Sequence, residues 1–369
     1  MIGSALIFAI LLFTLGTDFV QTAPWPHAAF RASACLLCAS FIAIGILRKR
    51  LNGSWCAIAM ALPAAWGLLQ LGLNSTVWRF ATWQATLQWF AYLALFFSAL
   101  QQTALRSHLR FIAWFGGAFS AYAIAQYLIW SRPGEPMMAT FFNQNHYAAL
   151  MELLFPIALW RLFRDRDKPL TAICALAMVG SVAMSGSRAG LVLLLMELIY
   201  LGLRTTRKPA LVVGCALAIA AVLVSVTWAR FEKLATGEPF ESRNATARAS
   251  LQMIRDRPQL GYGLGTWANV YPAYAERDTG FRLIHADDDW LEWAAEGGLP
   301  FLAIMLVLAG LTIRAAWREP WCAGCVAVLL HSLVEFPMQK QALWAWFVVL
   351  LAIAQTKPKP KSARLKQAS

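Results

Sequence analysis

Long apolar runs recur along almost the whole chain, and they limit its fold more than any other feature of the sequence. A helix needs roughly 20 apolar residues to cross the hydrocarbon core of a bilayer, and most of the runs approach that length. Only 14% of the 369 residues are charged, whereas an average soluble domain has about 25%. We therefore predict an all-α polytopic membrane protein, formed by a single integral membrane domain over residues 1–369.

Hydropathy divides this domain into about twelve transmembrane helices, one large external loop and a tail. The predicted spans are residues 2–19, 28–47, 55–73, 83–100, 111–130, 147–163, 170–184, 190–203, 210–228, 299–317, 320–334 and 342–355. The loop is residues 229–298, and the basic tail is residues 356–369. The loop is the largest part of the chain that we expect outside the bilayer.

The Lys and Arg residues are distributed unevenly between the two sides of this arrangement. With residue 1 in the cytoplasm, most of the 32 basic residues lie in inner connections, in the tail or in the 229–298 loop. Because short inner loops of membrane proteins are enriched in Lys and Arg, both termini are predicted to be cytoplasmic. The net charge of +13 is then an orientation signal and a means of contacting anionic lipid, so nucleic acid is not an expected partner. The short outer connections and span ends hold only Arg31, Arg79, Arg132, Arg188 and Lys340.

Four polar clusters fall on the predicted outer side of the membrane. They are residues 143–146, 185–190, 229–298 and 331–335. A transporter would place its ionisable residues near the middle of the bilayer, in broken helices that line a path. The one-sided arrangement therefore favours chemistry at the outer face, with a transporter as the alternative of another class.

The 229–298 loop carries basic residues, glycines and acids in succession. Residues 243–254 have the apolar spacing of a short helix that Pro258 would end. Glycines at 261, 263 and 265 follow, in a pattern that allows either a close approach to a ligand or a turn at the membrane surface. His285 and the acids at 287–289 then precede a predicted helix with Gly297 at its C-cap.

Asp287 and Asp289 form an Asp-x-Asp pair, an arrangement that holds a divalent metal in many sugar-nucleotide enzymes. Because those donors are cytoplasmic and this pair is external, we expect neither a metal nor another cofactor. The two carboxylates are instead expected to orient His285 or to bind sugar hydroxyls.

Several of these motifs, in this order, resemble those of the O-antigen ligase-like family of bacterial membrane glycosyltransferases. They extend over residues 142–337 and are together far more specific than any one match. The matching segments are Phe142-Asn143-Gln144-Asn145-His146-Tyr147-Ala148, Ser187-Arg188-Ala189-Gly190, Arg243, Arg257-Pro258-Gln259-Leu260-Gly261-Tyr262-Gly263, His285-Ala286, Trp290-Leu291, Glu296-Gly297-Gly298-Leu299 and His331-Ser332-Leu333-Val334-Glu335.

The resemblance implies a GT-C-like fold, in which membrane helices and a large periplasmic loop enclose a cavity. It also implies a metal-independent reaction at the periplasmic face of the bacterial inner membrane. In that reaction a glycan passes from an undecaprenyl-diphosphate carrier to an acceptor hydroxyl. Family members include ligases that build lipopolysaccharide on lipid A-core, polymerases that extend O-antigen or exopolysaccharide, and oligosaccharyltransferases that act on protein hydroxyls, and all three acceptors stay open for this chain.

The chain departs from the family pattern at two places. Many members have a second histidine two residues after the first and an asparagine next, where this chain has Asp287 and Asp288. Many also have a tryptophan four residues after the arginine of the loop, where this chain has Ala247. His285 occupies the position of the first histidine, so an essential second histidine would overturn its assignment.

The chemistry of such a transfer suits these residues independently of the resemblance. A diphosphate leaving group gains negative charge as the glycosidic bond breaks, and fixed guanidinium groups lower that barrier. Arg188 and Arg243 are the candidates for this role. An imidazole with a near-neutral pKa can take the proton of the acceptor hydroxyl, which makes His285 the candidate base. Interfacial snorkelling of Arg188 and a helix-capping role of His285 are the structural alternatives.

The other candidates are assigned to substrate binding. His331 and Glu335 are four residues apart in a predicted helix, so pairing between them is the alternative for that histidine. A polar loop ahead of a span is the alternative for residues 145 and 146. The residues predicted to bind substrate are Asn145, His146, Asp287, Asp289, Arg248 and His331.

Overall fold

The computed structural model describes residues 2–356 except 19, 21–22, 131–138, 165–167, 206–209, 211–213, 215–237, 277–279 and 281. Within these ranges the chain forms helices and no strand, which confirms the all-α prediction for this part of the protein. Its α-helices are α1 (Ile2–Thr17), α2 (Trp25–Leu47), α3 (Trp55–Gly72), α4 (Arg79–Gln101), α5 (Leu109–Trp130), α6 (Gln144–Arg164), α7 (Lys168–Ser185), α8 (Arg188–Thr205), α9 (Glu238–Asp256), α10 (Trp267–Val270), α11 (Asp289–Arg318), α12 (Ala323–His331) and α13 (Gln341–Gln355).

Five segments among the described residues are long and apolar enough to cross a bilayer, which indicates a membrane protein. The count of about twelve spans stays a prediction. The predicted span 210–228 lies almost wholly outside the described residues, as do the tail after 356 and the start of the loop, residues 229–237. The five segments are Trp25–Leu47, Trp55–Gly72, Ala104–Trp130, Lys168–Ser185 and Asp289–Arg318, and shorter apolar helices are Ile2–Thr17, Pro320–His331 and Gln341–Gln355.

Two helices, α6 and α13, form the centre of the bundle. Every residue of α6 from His146 to Leu159 is buried, and so is nearly every residue of α13. A helix that is buried on all sides needs neighbours around its whole circumference. Small residues allow those neighbours to approach closely: a Cβ atom at Gly324 of α12 would lie 2.2 Å from the carbonyl oxygen of Glu152. In the same way, a Cβ atom at Gly190 of α8 would lie 2.6 Å from that of Ala148, so α8 and α12 are both fixed against α6.

Helix α11 is broken once, close to the predicted C-cap at Gly297. The break is at the next residue, Gly298, whose φ of +75° belongs to the left-handed region, and the chain then continues as a helix to Arg318. The amide of Leu299 donates to the carbonyl oxygen of Pro258 at 2.8 Å, which satisfies a backbone group that the break releases. The break lets the first two turns of α11 lean over the loop while the rest packs among the apolar helices.

The connections predicted to share a side of the membrane lie at the same end of the bundle. At one end, which we call the site end, residues 143–145 meet residues 332–340. At the opposite end, Arg106 donates to Glu319 at 2.5 Å and to the carbonyl oxygen of Thr356. Residues 143–145 and 332–340 are therefore separated from Arg106 and Glu319 by the length of the helices.

Candidate active site

The 332–340 segment is an unwound connection between α12 and α13 at the site end. Asp289, the first residue of α11, fixes it: the Asp289 amide donates to the Ser332 carbonyl oxygen at 2.9 Å. The Asp289 carboxylate accepts from the Met338 amide at 2.9 Å and from the Gln339 side chain at 3.0 Å. Asp289 is fully buried, so the structure gives this predicted substrate-binding residue bonds within the protein on both carboxylate oxygens. We do not include it in the site.

Glu335, in the middle of this segment, joins three distant parts of the chain. Its carboxylate forms an ion pair with Arg243 of α9 and accepts a hydrogen bond from the Asn145 side chain at 2.5 Å. Asn145 is held in place because Asn143 caps α6 and accepts from the Asn145 amide at 2.8 Å. Burial raises the pKa of Glu335, and the neighbouring Arg243 guanidinium partly offsets that rise. Two of the predicted stretches, around Asn145 and Arg243, thus converge on one carboxylate.

His285 lies on the other side of the same segment. Its Nδ1 atom is 2.9 Å from Glu292 of α11, whose second oxygen accepts the Ala286 amide at 2.8 Å. The imidazole ring packs on Phe336, with 4.7 Å between ring centroids. Burial, and next the positive charge of Lys340, lower the pKa of His285 to about 3. The imidazole is therefore neutral at pH 7, more strongly so than the near-neutral pKa that we expected from the sequence.

His146 packs against Phe336 as well, edge to face, with 4.8 Å between ring centroids. Its side chain is 1% exposed, and neither of its ring nitrogens has a hydrogen-bond partner among the described residues. Lys340 lies over the same phenylalanine ring, 5.5 Å from the centroid. The Phe336 ring is therefore surrounded by His285, His146 and Lys340.

Asp287 lies between the arginine and the histidine of the site. Burial raises the pKa of Asp287. Arg243, and after it His285, oppose this rise, so both groups are electrostatic neighbours of Asp287. Its φ of +56° is in the left-handed region, where Asp is tolerated better than most residues. Asp288 instead caps α11 by accepting from the Leu291 amide at 3.0 Å. In the described ranges no three His, Cys, Asp or Glu residues are grouped to hold a metal ion.

The glycine-rich stretch is bound to α11 and has a structural role. Glu296 accepts the amide hydrogens of Gly265 at 2.8 Å and Trp267 at 2.9 Å. A Cβ atom at Gly261, whose φ is +64°, would lie 2.3 Å from the Glu296 carbonyl oxygen. Of the two predicted roles, the structure therefore supports a tight turn over one that contacts a ligand.

Two other predicted substrate-binding residues lie outside this cluster. His331 is 2.8 Å from Glu152, and both side chains are fully buried. The predicted pairing of His331 with Glu335 is wrong, because α12 ends at His331 and the chain then turns away. Arg248 is half exposed and forms two 2.8 Å bonds with Glu276, on a different face of α9 from Arg243.

Arg188 is the first residue of α8 and is half-buried. The close approach of Gly190 to Ala148 holds this end of α8 beside the first turns of α6, where Asn145 and His146 lie. Arg188 therefore lies at the site end, as the sequence predicted.

Three residues of the cluster had no role in the sequence prediction: Glu292, Phe336 and Lys340. A signal for Lys340 exists, because it is one of the few basic residues on the predicted outer side and so departs from the charge distribution. Glu292 and Phe336 are ordinary residues of a helix and a turn, and no local pattern distinguishes them.

The structure thus defines a helical membrane protein with a buried histidine–carboxylate pair and cationic side chains at one end. Comparison with known families identifies the group. A family model described as O-antigen ligase matches residues 173–306, which include Arg188, Arg243 and His285. This match, which covers less than half of the chain, supports the resemblance of the motifs to an O-antigen ligase-like family. The family indicates a glycosyltransferase of the ligase or polymerase type. No curated protein matches the chain.

Proposed function

We propose that the protein transfers a glycan from an undecaprenyl-diphosphate carrier to an acceptor hydroxyl of lipid A-core or of a growing polysaccharide. The observation that carries this proposal is the convergence of Asn145, Arg243 and His285 around the 332–340 segment. Glycan transfer needs a base for the acceptor and cations for the leaving group, and this cluster contains both.

His285 is proposed to act as the base. Because Nδ1 faces Glu292, the Nε2 atom is the one that takes the proton of the acceptor hydroxyl. The hydroxyl oxygen then forms a bond with the anomeric carbon, and Glu292 stabilises the imidazolium that results. Burial, and next the positive charge of Lys340, keep the imidazole neutral before the donor binds. An anionic donor reduces that effect, so its arrival makes His285 a stronger base.

The arginines are proposed to stabilise the leaving group. As the anomeric C–O bond breaks, the electron pair leaves with the lipid diphosphate, whose added charge is neutralised by Arg243 and Arg188. The Arg243 side chain is 40% exposed despite its pairing with the buried Glu335, so it can reach a ligand above the segment. Asn145 and Asp287 lie near the Arg243–Glu335 ion pair and are suited to hold sugar hydroxyls.

We infer that the site faces the periplasm of the bacterial inner membrane. Residues of the basic inner connections, among them Arg106 and Arg204, lie at the end opposite to the site. Short cytoplasmic connections are the ones enriched in Lys and Arg. The termini are then cytoplasmic, and the donor is used on the side where polysaccharides are assembled.

The test is a transfer assay with the purified full chain, a lipid-diphosphate glycan and several acceptors, measuring released lipid diphosphate. His285→Ala should lower the rate about 10²- to 10⁴-fold, and Arg188→Ala about 10²- to 10³-fold. Arg188→Lys should restore little, because an ammonium lacks the planar fork of guanidinium. The control is Arg79→Gln, which removes a charge from an exposed residue at the site end that contacts Asn74.

Each outcome of this assay has one interpretation. Transfer at the normal rate by His285→Ala or Arg188→Ala removes that residue from the site. A wild-type protein that releases no lipid diphosphate with any acceptor contradicts the proposed transfer, and lack of release is the result expected of a flippase or exporter. The acceptor that supports release separates ligase, polymerase and protein oligosaccharyltransferase.

A further inference from the structure

Lys340 is a buried cation that forms no direct ion pair with a carboxylate among the described residues. It is 8% exposed and directly precedes α13. Arg106, Arg243 and Arg248 each form an ion pair with a carboxylate, but Lys340 forms none within the described parts of the chain. Its ammonium lies over the face of Phe336, and Asp18, Asp289 and Glu292 act on it electrostatically without an ion-pair contact. A buried charge is costly unless it is paired, and a bound anion would reduce that cost.

His146 is a second unsatisfied group beside it. A buried imidazole nearly always has a partner for at least one ring nitrogen, because a buried polar group without a hydrogen bond destabilises the folded protein. Both nitrogens of His146 lack one in the described chain, although the residue is 1% exposed. The positive charge of Lys340 is, after burial, the largest influence on this imidazole, which places the two groups close together.

The two groups converge on one point. Lys340 and His146 both contact the Phe336 ring, whose other neighbour is His285. Lys340 is also the N-cap residue of α13 and makes no side-chain cap bond there, and a helix N-terminus favours an anion. The donors available are an ammonium, an imidazole N–H and backbone amides, which is the set that a phosphate group with its several oxygens satisfies.

We propose that Lys340 and His146 form an anion subsite that binds a phosphate of the donor beside His285. This inference rests on the proposed function, because that function supplies a donor with two phosphates. One phosphate then contacts Lys340 and His146 beside the Phe336 ring, and the other phosphate lies toward Arg243. Lys340 becomes part of the binding machinery, and the bound diphosphate stands next to the base.

The experiment measures binding of inorganic pyrophosphate to the full chain in nanodiscs of neutral phosphatidylcholine, by calorimetry. Lys340→Gln should weaken binding about 10- to 100-fold, the loss expected for one charge-assisted hydrogen bond. His146→Gln should weaken it about 3- to 10-fold. Arg79→Gln, which also removes one positive charge at the site end, should bind like the wild type. Thermal unfolding verifies that each variant is folded.

Several results would overturn the subsite. Wild-type affinity in Lys340→Gln does so, as does equal weakening in Arg79→Gln, which would mean a non-specific charge effect. If Lys340→Gln does not fold, the pyrophosphate affinity of His146→Gln is the test instead. Wild-type affinity in His146→Gln would then contradict the subsite. If phosphatidylglycerol in the nanodisc abolishes pyrophosphate binding, a bilayer phosphate occupies the subsite and the donor assignment is wrong.

The binding measurement is independent of glycan transfer. Pyrophosphate needs no acceptor, so a protein that transfers nothing but binds pyrophosphate through Lys340 contradicts the proposed function alone. A protein that transfers glycan but binds pyrophosphate equally with and without Lys340 contradicts the subsite alone.

Discussion

Replacing Glu292 by glutamine tests how the proposed base, His285, is oriented. Glu292 is 2% exposed, and each of its oxygens has one partner: His285 Nδ1 at 2.9 Å and the Ala286 amide at 2.8 Å. Glutamine has nearly the same shape but only one acceptor oxygen. One of the two bonds must therefore be lost, and an amide N–H faces a donor in its place. A buried donor left without an acceptor costs about 1–3 kcal/mol of stability.

The effect on the reaction should be larger than the effect on stability. If the glutamine oxygen faces Ala286, its NH₂ group faces His285 and favours the tautomer with the proton on Nε2. That tautomer cannot accept the proton of the acceptor hydroxyl. The corresponding exchange of the orienting Asp for Asn in a serine protease lowers kcat about 10⁴-fold. Because glutamine can also adopt the other orientation, we expect a fall in kcat of about 10²- to 10⁴-fold with KM nearly unchanged.

The assay is steady-state transfer with lipid-diphosphate glycan, together with thermal unfolding of the same preparations. Glu276→Gln is the control, since it makes the same chemical change in an acid that is 47% exposed and pairs with Arg248 away from the site. Its kcat should equal that of the wild type. A Glu292→Gln protein that is folded and retains kcat within about twofold would refute the reasoning, because His285 would then need no orienting carboxylate.

Two further predictions concern pH and the glycine turn. The free imidazole pKa is 6.5 and that of His285 in the folded protein is about 3, so the unfolded chain binds the proton first. The contribution of His285 to the free energy of unfolding should therefore fall as pH decreases from 6.5 toward 3, and the difference in thermal stability between the wild type and His285→Phe should change with pH over this range. Gly261→Ala should destabilise the protein by more than about 1 kcal/mol, because its Cβ would meet Glu296. Gly180→Ala, in α7 with nothing within 4 Å of its Cβ, should be neutral or stabilising in the same melts, and equal melting temperatures for the two would contradict the role of the turn.

The sequence predicted the helices best where hydropathy alone decides the structure. The ends of helices α2, α3 and α7 fall within a few residues of the ends of the predicted spans. A continuous apolar run in lipid must satisfy its backbone hydrogen bonds internally, and a helix does so. The prediction was less accurate over 320–334, where α12 ends at His331. Hydropathy cannot show that Asp289, far away in sequence, supplies hydrogen bonds to the backbone that leaves the helix.

The site was predicted in part, and for a physical reason. Asn145, Arg243 and His285 stand in recognisable motifs, so their type and order could be read directly. Their partners could not, because the Asn145–Glu335 bond joins residues 190 positions apart and leaves no local pattern. The same limit applies to Arg248. Its residue type suits a binding site, but its side chain pairs with Glu276 at the surface.

The short helix before the 332–340 segment bears on the depth at which the proposed reaction would take place. Pro320–His331 has one 3-10 turn and 9 α-helical residues, which rise about 20 Å together. In the proposed orientation, with Pro320 at the inner boundary of a hydrocarbon layer about 30 Å thick and the helix untilted, the 332–340 backbone would lie roughly 10 Å beneath the outer boundary. A carrier with a long isoprenoid chain could then keep its chain in the outer leaflet while its head group contacts the 332–340 segment. The acceptor has to descend to meet it, which gives an advantage to acceptors that are themselves anchored in the membrane.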